Sequence, residues 1–228
     1  MTETKALSPA RSRRDVLSLM LGTAALAAGF SAAPFGVARA SAQEAAIAQR
    51  IADHFSQVKT MAGEFVQFGP RGEQTGGKFF LSRPGRIRFN YEGNANFQVV
   101  SDGRSVILEN KKMKTVDLYS LGQTPLKLLL DERIDLSGNK VQSINQESDQ
   151  TTIKLADKSV FGNSTITMMF DPANYELKQW TITDAQGKDT TVMIFNVQKG
   201  VRIDQALFEV DYKRNYKLNK PGANNNNR

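Results

Sequence analysis

The sequence predicts a mainly β fold (α+β): one large curved sheet or an unclosed antiparallel β-barrel of about eleven strands, with a helical lid over an apolar cavity. Three observations predict it. Short runs of alternating apolar and polar residues recur along the chain, turn-forming residues separate them, and only two segments have helical spacing. Connections this short fit antiparallel pairing, and a curved sheet with one apolar face needs a cover, which two helices can provide.

The first 42 residues have the pattern of a cleavable export signal of the twin-arginine type. The pair Arg13-Arg14 precedes an uncharged stretch over residues 16–37, and the sequence ARASAQ offers cleavage after Ala40 or Ala42. A membrane anchor is the alternative, but the stretch contains little Leu or Ile. The periplasm is therefore the expected location.

Charge and cysteine content exclude several classes of function. The whole chain has a formal net charge of +7, but without the first 42 residues 25 basic and 21 acidic residues remain, a net charge of +4. Such a mild excess gives little attraction to polyanions, so nucleic acid is not an expected partner. The chain has no cysteine, which excludes disulfides, thiolate metal sites and a thioether-linked lipid on the protein itself.

The first helix is predicted over residues 43–59. Ile47, Ile51 and Phe55 recur every four residues and form one apolar stripe along it. His54, the only histidine of the chain, lies next to this stripe, and a boundary position is a better interpretation of it than a functional one. The stripe is one candidate cover for the sheet.

Short strands follow the first helix. Asp102-Gly103 between two apolar runs is a strong signal for a two-residue hairpin, since a type I′ turn requires a positive φ at both central residues. The strands of the first half are predicted at residues 63–69, 76–82, 86–92, 96–101, 104–110 and 114–119.

A short second helix is predicted between the two sets of strands. Thr124 can cap it, Pro125 suits its first position, and Leu126, Leu129 and Leu130 are its apolar lid residues. The following elements are strands at residues 140–145, 150–156, 163–170, 175–183 and 189–198, one helical turn at 204–206 and a last strand at 207–210. Residues 43–220 are thus predicted to form one domain, and the Asn-rich residues 221–228 a disordered tail.

The alternation within the strands separates an apolar from a polar face. In RPGRIRFNY, residues 83–91, Arg86 and Arg88 fall on the solvent-facing side and are expected to have no specific function. Phe and Met on the apolar face could line a cavity that adapts to variable apolar guests, although an ordinary core is the alternative for each residue. The predicted lipid-binding residues are Phe65, Phe79, Leu81, Ile87, Phe89, Tyr91, Val99, Ile166, Met168, Phe170, Trp180 and Ile182.

Nothing in the sequence has the pattern of a catalytic, metal or cofactor site, so the protein is not expected to be an enzyme. Residues 72–79 have the G-x-x-x-x-G-K spacing of a phosphate loop, but Phe79 stands where a hydroxyl is needed and a strand follows. Asp131 and Asp135 cluster beside Arg133 at a helix end, as a solvated terminus does. A hydrolase acting through these carboxylates is the least favoured hypothesis.

Several motifs together resemble the LolA family of periplasmic lipoprotein carriers over residues 45–210. The matching residues are Phe65 and Gln67 in EFVQF, Gly77 followed by FFLSRPGRIRFNY, VVSDGRSVIL at residues 99–108, Thr124-Pro125 with Leu129, and Gly200 leading to Phe208 in ALFEV. Glu109 departs from the aromatic residue that many relatives have after the VSDG hairpin, which affects the expected cavity wall. The Asn-rich tail replaces the usual C-terminal extension.

The resemblance implies an unclosed barrel with a helical lid, and a monomer without cofactors. It implies acylated lipoproteins as cargo, taken from an inner-membrane ABC-type releasing complex and passed to an outer-membrane acceptor. It also implies that Arg83 latches the lid by hydrogen bonds, whereas a plain surface arginine in a turn is the alternative. A related envelope module of the same fold, binding a partner protein or sensing mislocalised lipoproteins, is the alternative function that the sequence separates poorly from the first.

Overall fold

The computed structural model of the protein describes residues 35–93, 96–136 and 140–213. Most of the predicted export signal and the whole predicted tail, residues 221–228, lie outside these residues, and both stay predictions.

Eleven strands form, each within three residues of its predicted bounds. The strands are β1 Thr60–Phe68, β2 Gln74–Ser82, β3 Arg86–Tyr91, β4 Phe97–Asp102, β5 Ser105–Asn110, β6 Thr115–Ser120, β7 Val141–Gln146, β8 Thr151–Ala156, β9 Thr165–Phe170, β10 Leu177–Thr183 and β11 Asp189–Lys199. The helices are α1 Phe35–Gln57, α2 Leu126–Leu130, α3 Lys158–Phe161, and two 3₁₀ helices at Leu121–Gln123 and Gln205–Phe208.

The strands make one antiparallel sheet in the order β6-β5-β4-β3-β2-β1-β11-β10-β9-β8-β7. Two meanders, β1 to β6 and β7 to β11, are therefore joined at the centre by the pairing of β1 with β11. The outermost strands, β6 and β7, do not pair with each other in the part of the chain that the structure describes. The predicted fold class, an unclosed antiparallel barrel with few helices, is confirmed.

Helix α1 is longer than predicted, because it begins at Phe35 and not at residue 43. Its buried face includes Ile51 and Phe55, as the apolar stripe predicted, together with Ala48 and Ala52. The two alanines complete the i, i+3, i+4 spacing of a helix face that lies against other elements. Small residues on this face let the helix approach the sheet closely.

Helix α2 is a five-residue segment in which Leu126, Leu128, Leu129 and Leu130 are all buried. The expectation that Thr124 caps it with its side chain is wrong, since the Thr124 hydroxyl donates to the Leu121 carbonyl, at 3.0 Å. The helix begins after Pro125, one residue later than predicted. Burial of four of its five side chains, and not amphipathic spacing, stabilises so short a helix.

The predicted turn after β4 needs correction. The hairpin after β4 has Gly103 and Arg104 as its loop residues, and of these Gly103 alone has a positive φ, 100°. A type I′ turn centred on Asp102-Gly103 is therefore wrong. The Asp102 carboxylate instead accepts hydrogen bonds from the backbone N–H groups of Arg104 and Ser105, at 2.8 and 2.9 Å.

The predicted last strand at residues 207–210 is also wrong, because the chain forms the 3₁₀ helix Gln205–Phe208 there. Asp204 starts this helix, since its carboxylate accepts from the Ala206 N–H at 3.0 Å. Phe208 is 2% exposed. Its burial anchors the C-terminal segment to the sheet.

That segment lies on what we call the outer face of the sheet, the side opposite α1 and α2. Arg88 donates to the Leu207 carbonyl at 2.9 Å and to the Gln98 side chain at 2.8 Å. Arg86 donates to the Gln205 side chain at 3.0 Å. The expectation that both arginines only face solvent is thus wrong, because they hold the C-terminal segment against the sheet.

The outer face has apolar residues of its own, which strict alternation did not predict. Val100 and Ile107 are each 3% exposed on this face. Glu109 is also buried here, and it accepts a hydrogen bond from Gln98 at 2.6 Å. Glu109 therefore belongs to the outer-face hydrogen-bond network. It does not line the cavity wall, so its departure from the family pattern does not change that wall.

Candidate functional site

The inner face of the sheet, the side covered by α1 and α2, carries one continuous apolar core. Ten of the twelve predicted lipid-binding residues are buried in it, and Val99 and Ile182 pack against it while partly exposed. The ten are Phe65, Phe79, Leu81, Ile87, Phe89, Tyr91, Ile166, Met168, Phe170 and Trp180. The structure thus brings the predicted residues together, and their role in binding lipid remains a proposal.

The predicted lid residues reach the same core. Ile51 and Leu129 are fully buried, and Phe55 is 3% exposed. Leu126 and Leu130 also belong to the core, and Ile47 packs against it. Sequence reasoning missed Ala48, Ala52 and Leu128 on the lid side, and Met61, Ile153 and Leu155 on the sheet. The i, i+3, i+4 spacing could have identified the alanines, whereas the others are ordinary apolar positions without a distinguishing pattern.

Aromatic rings connect the two halves of the sheet across this interior. The Phe89 ring on β3 lies 6.2 Å from the Trp180 ring on β10, between ring centroids. Phe65 stands edge-on to Phe89 at 4.9 Å, and the lid residue Phe55 stands edge-on to Phe170 at 5.6 Å. Contacts at these distances are favourable for aromatic pairs. With the lid in this position, the protein's own side chains occupy most of the interior.

The interior opens to solvent through a cavity of about 300 Å³ between the end of α1 and strands β10 and β11. Its apolar floor includes Phe55, Met61 and Leu177, all members of the core. Its charged rim includes Glu176, whose carboxylate lies 2.7 Å from the Lys199 ammonium. The Lys199 hydrogen bond holds the pKa of Glu176 below its usual value. The volume is at the lower end of the range for ligand sites.

His54 lies at this opening, half-buried, with its ring 5.9 Å from the Tyr175 ring in an edge-on arrangement. The predicted boundary position is confirmed. Tyr175 has φ 58°, which a non-glycine residue adopts at a cost. The local backbone therefore holds this ring at the rim of the opening.

Arg83 links the sheet to both lid helices, and its side chain is 6% exposed. Its Nε donates to the Val58 carbonyl, just after α1, at 3.1 Å. Its Nη1 donates to the Leu129 carbonyl of α2 at 2.7 Å and to the Asp131 carbonyl. These acceptors lie at C-terminal ends of helices, where orphan carbonyls and the helix dipole favour a cation.

The environment of Arg83 excludes water from these bonds. Its guanidinium carbon lies 4.5 Å from the centre of the Phe55 ring, which is a cation–π distance. Burial lowers the pKa of Arg83 to about 10, although the Asp131 carboxylate opposes the effect. The guanidinium is still charged at neutral pH. The alternative of a plain surface arginine is therefore wrong, while the role as a latch stays a proposal.

The turn that carries Arg83 is fixed by its neighbours. The peptide bond between Arg83 and Pro84 is cis. Gly85 has φ 78°, and a Cβ there would lie 2.6 Å from the Cα of Gly103, so a side chain is excluded. The Gly85 N–H donates to the Leu130 carbonyl, and its carbonyl accepts from the Ser101 hydroxyl, at 2.8 and 2.7 Å.

The two parts of the lid also bind each other. The buried Ser56 of α1 accepts a hydrogen bond from the Ile134 N–H at 3.1 Å and donates to the Ala52 carbonyl at 2.6 Å. On the surface, Asp53 pairs with Arg133 at 3.2 Å. Helix α1 and the segment after α2 are thereby joined directly as well as through Arg83.

The carboxylates considered for hydrolysis do not face each other as an acid–base pair. Asp131 accepts from Lys127 one helical turn earlier, and Asp135 pairs with Lys140. Among the residues that the structure describes, no group of three His, Cys, Asp or Glu side chains could hold a metal ion. Within the same residues, none of the helices has the length and apolar character to cross a bilayer.

Comparison with known proteins gives relatives along most of the chain. The chain is similar to the outer-membrane lipoprotein carrier protein of Methylococcus capsulatus, 26% identical over 179 residues, which are 75% of this chain and 86% of that protein. It is 28% identical to that of Chromobacterium violaceum over 198 residues, which are 83% and 90% of the two chains.

The solved structures that match the chain have low sequence identity to it. A LolA superfamily protein from Nitrosomonas europaea is 10% identical with a TM-score of 0.40, over 72% of this chain and 98% of that one. The Pseudomonas aeruginosa MucA/MucB complex is 13% identical with a TM-score of 0.40, over 74% of this chain and 61% of that one.

The family model described as outer membrane lipoprotein carrier protein LolA matches residues 56–211. The chain therefore belongs to the LolA family.

Proposed function

We propose that the protein is a periplasmic carrier that binds the acyl chains of lipoproteins released from the inner membrane and delivers them to the outer membrane. The observation that carries this proposal is the apolar core shared by the lid and the inner face, with a cavity that opens between them. A site of this kind binds without directional bonds. It suits a carrier and not an enzyme.

The free-energy gain comes from apolar burial. Each methylene removed from water stabilises a complex by about 0.8 kcal/mol, so an acyl chain crosses an aqueous compartment only when shielded. The cavity of about 300 Å³ is small compared with the core around it. Cargo therefore enters by lifting the lid and displacing side chains such as Met168 and Phe55, whose soft or planar groups repack around guests.

Arg83 is the latch of this lid in the proposal. The Arg83 side chain donates three hydrogen bonds, and all three acceptors are backbone carbonyls of the lid. Any lid sequence supplies such carbonyls, and an arginine fork reaches several at once. Breaking these bonds weakens the attachment of the lid and leaves the sheet intact, because the Arg83 N–H stays bonded to the Lys59 carbonyl at 2.8 Å.

The partners in this proposal are acylated lipoproteins, an inner-membrane ABC-type releasing complex and an outer-membrane acceptor. The names of its relatives, outer-membrane lipoprotein carrier proteins, support the cargo and the envelope location. Because the inner face is mostly apolar, the acyl chains are the shared feature of the cargo in this proposal.

A transfer assay between membrane fractions tests the function. Inner-membrane vesicles loaded with a labelled lipoprotein are incubated with the protein, and the soluble complex is then added to outer-membrane vesicles. We expect a soluble one-to-one complex, and transfer that fails for a non-acylated version of the same lipoprotein. Equal binding of the non-acylated form, or normal lipoprotein sorting in cells depleted of the protein, would favour the partner-binding or sensing module instead.

A further inference from the structure

The turn between β5 and β6 presents a long apolar side chain among lysines. We call residues 110–114, with the sequence NKKMK, the lysine turn. Met113 is 68% exposed, and Lys111, Lys112 and Lys114 are exposed around it. It is the most exposed of the large apolar side chains that the structure describes. Covering such a side chain with a partner surface would gain free energy.

The lysine turn is ordered by its own hydrogen bonds. The Asn110 side-chain oxygen accepts from the Met113 N–H at 3.0 Å, and the Lys111 N–H donates to the Asn96 carbonyl at 2.7 Å. Lys114 has φ 54°, an uncommon conformation for a residue with a Cβ. The backbone is therefore fixed so that Met113 and the three lysines share one tip.

Exposed apolar residues continue along the adjacent edge strand. Leu118 is 46% and Tyr119 50% exposed on β6, which is an edge of the sheet. Three of the seven exposed large apolar side chains of the described residues thus fall between residues 113 and 119. Successive strand residues point to opposite faces, so a flat surface that meets this edge contacts both Leu118 and Tyr119.

The charge of this region indicates what the flat surface is. Residues 110–120 contain three lysines and one acidic residue, the exposed Asp117, for a net charge of +2. Lysines that flank an apolar side chain suit an anionic bilayer, where the ammonium groups contact phosphates and the apolar group enters the headgroup–acyl boundary. Tyr119 suits the same boundary, since tyrosine is enriched at membrane interfaces.

We propose that the lysine turn and the edge β6 are a docking surface for a membrane that contains anionic phospholipids. Met113 inserts, the three lysines contact the headgroup phosphates, and Leu118 and Tyr119 lie against the surface. This surface uses none of the apolar core residues of the inner face and none of the lid residues, although Tyr119, which pairs with Val106, lies on the inner-face side of β6. The inference therefore does not depend on the acyl-carrier proposal, and either can fail without the other.

Vesicle flotation tests the inference on the protein purified in its natural processed form. Vesicles of phosphatidylcholine with phosphatidylglycerol should bind the protein, vesicles of phosphatidylcholine alone should not, and added salt should weaken the binding. Replacing Lys111, Lys112 and Lys114 by alanine should weaken binding roughly a hundred-fold, or about five-fold per lysine. The matched control replaces the exposed Lys158, Lys188 and Lys213, which removes the same charge elsewhere.

A fluorescence measurement separates insertion from simple charge attraction. Trp180 is the only tryptophan and is 3% exposed, so a Met113→Trp variant adds one solvent-exposed reporter. Its emission should shift to the blue with anionic vesicles and stay unchanged with neutral ones. Equal losses in the two triple-lysine variants, no blue shift, or a second copy pairing on β6 in place of vesicle binding would each overturn the inference.

Discussion

Replacing Arg83 by leucine should favour the open lid without unfolding the sheet. The change removes three side-chain hydrogen bonds to lid carbonyls and the contact with the Phe55 ring. Each bond contributes about 1 kcal/mol net, and the ring contact about 1 kcal/mol. Leucine recovers part of the packing, which leaves a loss of about 3 kcal/mol. Since 1.4 kcal/mol is tenfold, the open fraction should rise roughly 150-fold.

Thiol labelling measures this opening directly, because the chain has no cysteine of its own. Ala48 is 0% exposed on the buried face of α1, so an Ala48→Cys thiol reacts when the lid lifts. Val100 is 3% exposed on the outer face, away from the lid, and Val100→Cys reports unfolding of the sheet. Arg83→Leu should accelerate labelling at position 48 by about two orders of magnitude and leave position 100 nearly unchanged.

The control variant is Arg86→Leu, which removes an arginine three residues away that bonds the C-terminal segment and not the lid. It should not change labelling at position 48. If Arg83→Leu accelerates both thiols equally, Arg83 stabilises the whole domain and is no latch. If it accelerates neither, its hydrogen bonds do not hold the lid closed.

Three further predictions concern the interior, the lid and the C-terminal segment. Ile87→Glu places a carboxylate at a fully buried inner-face position and should weaken uptake of a fluorescent apolar probe at least about tenfold. Ser56→Ala leaves the buried Ile134 N–H without its partner, which should cost about 1–3 kcal/mol and lower Tm by about 2–10 °C. Burial raises the pKa of Asp102, but hydrogen bonds from Tyr212 and from backbone N–H groups outweigh burial, so the net effect lowers that pKa. Tyr212→Phe removes one of these bonds and should raise the pKa of Asp102 in an NMR titration.

The first two of these predictions have matched control variants. Lys78→Glu adds a carboxylate on the outer face and should leave probe uptake intact. Ser159→Ala removes an exposed hydroxyl and should change Tm little. Because the pKa of Asp102 lies below its ordinary value, its stabilising effect is present above about pH 4 and is lost as the pH falls through the folded-state pKa. Equal acid sensitivity of wild-type and Tyr212→Phe would contradict the assigned bond.

Periodicity was sufficient to predict the sheet and its inner face. Alternation in β3 separated Ile87 and Phe89 from Arg86 and Arg88, and the structure places the two pairs on opposite faces. The same rule missed the buried Val100 and Ile107, because what covers the outer face is a segment more than ninety residues away in sequence. A local pattern contains no information about such a long-range partner.

The candidate site was predicted in part for the same reason. The apolar stripe of α1 identified Ile51 and Phe55, and the resemblance drew attention to Arg83. The bond from Ile134 to Ser56 could not be predicted, since it joins residues 78 positions apart through a backbone N–H that every residue has. The sequence of a short helix such as Gln205–Phe208 is also ambiguous, because a pattern of only four residues is too short to distinguish a strand from a 3₁₀ helix.

Photo-crosslinking with an acylated peptide tests the central claim most directly. The probe is a short lipopeptide with a photoreactive group at the end of one acyl chain, and mass spectrometry locates the crosslinked residues. We predict crosslinks on the inner face, at residues such as Phe89, Met168 and Trp180, and fewer of them when excess unlabelled lipopeptide competes. Crosslinks confined to exposed outer-face residues such as Met193 and Phe195, or a pattern unchanged by competition, would contradict the account.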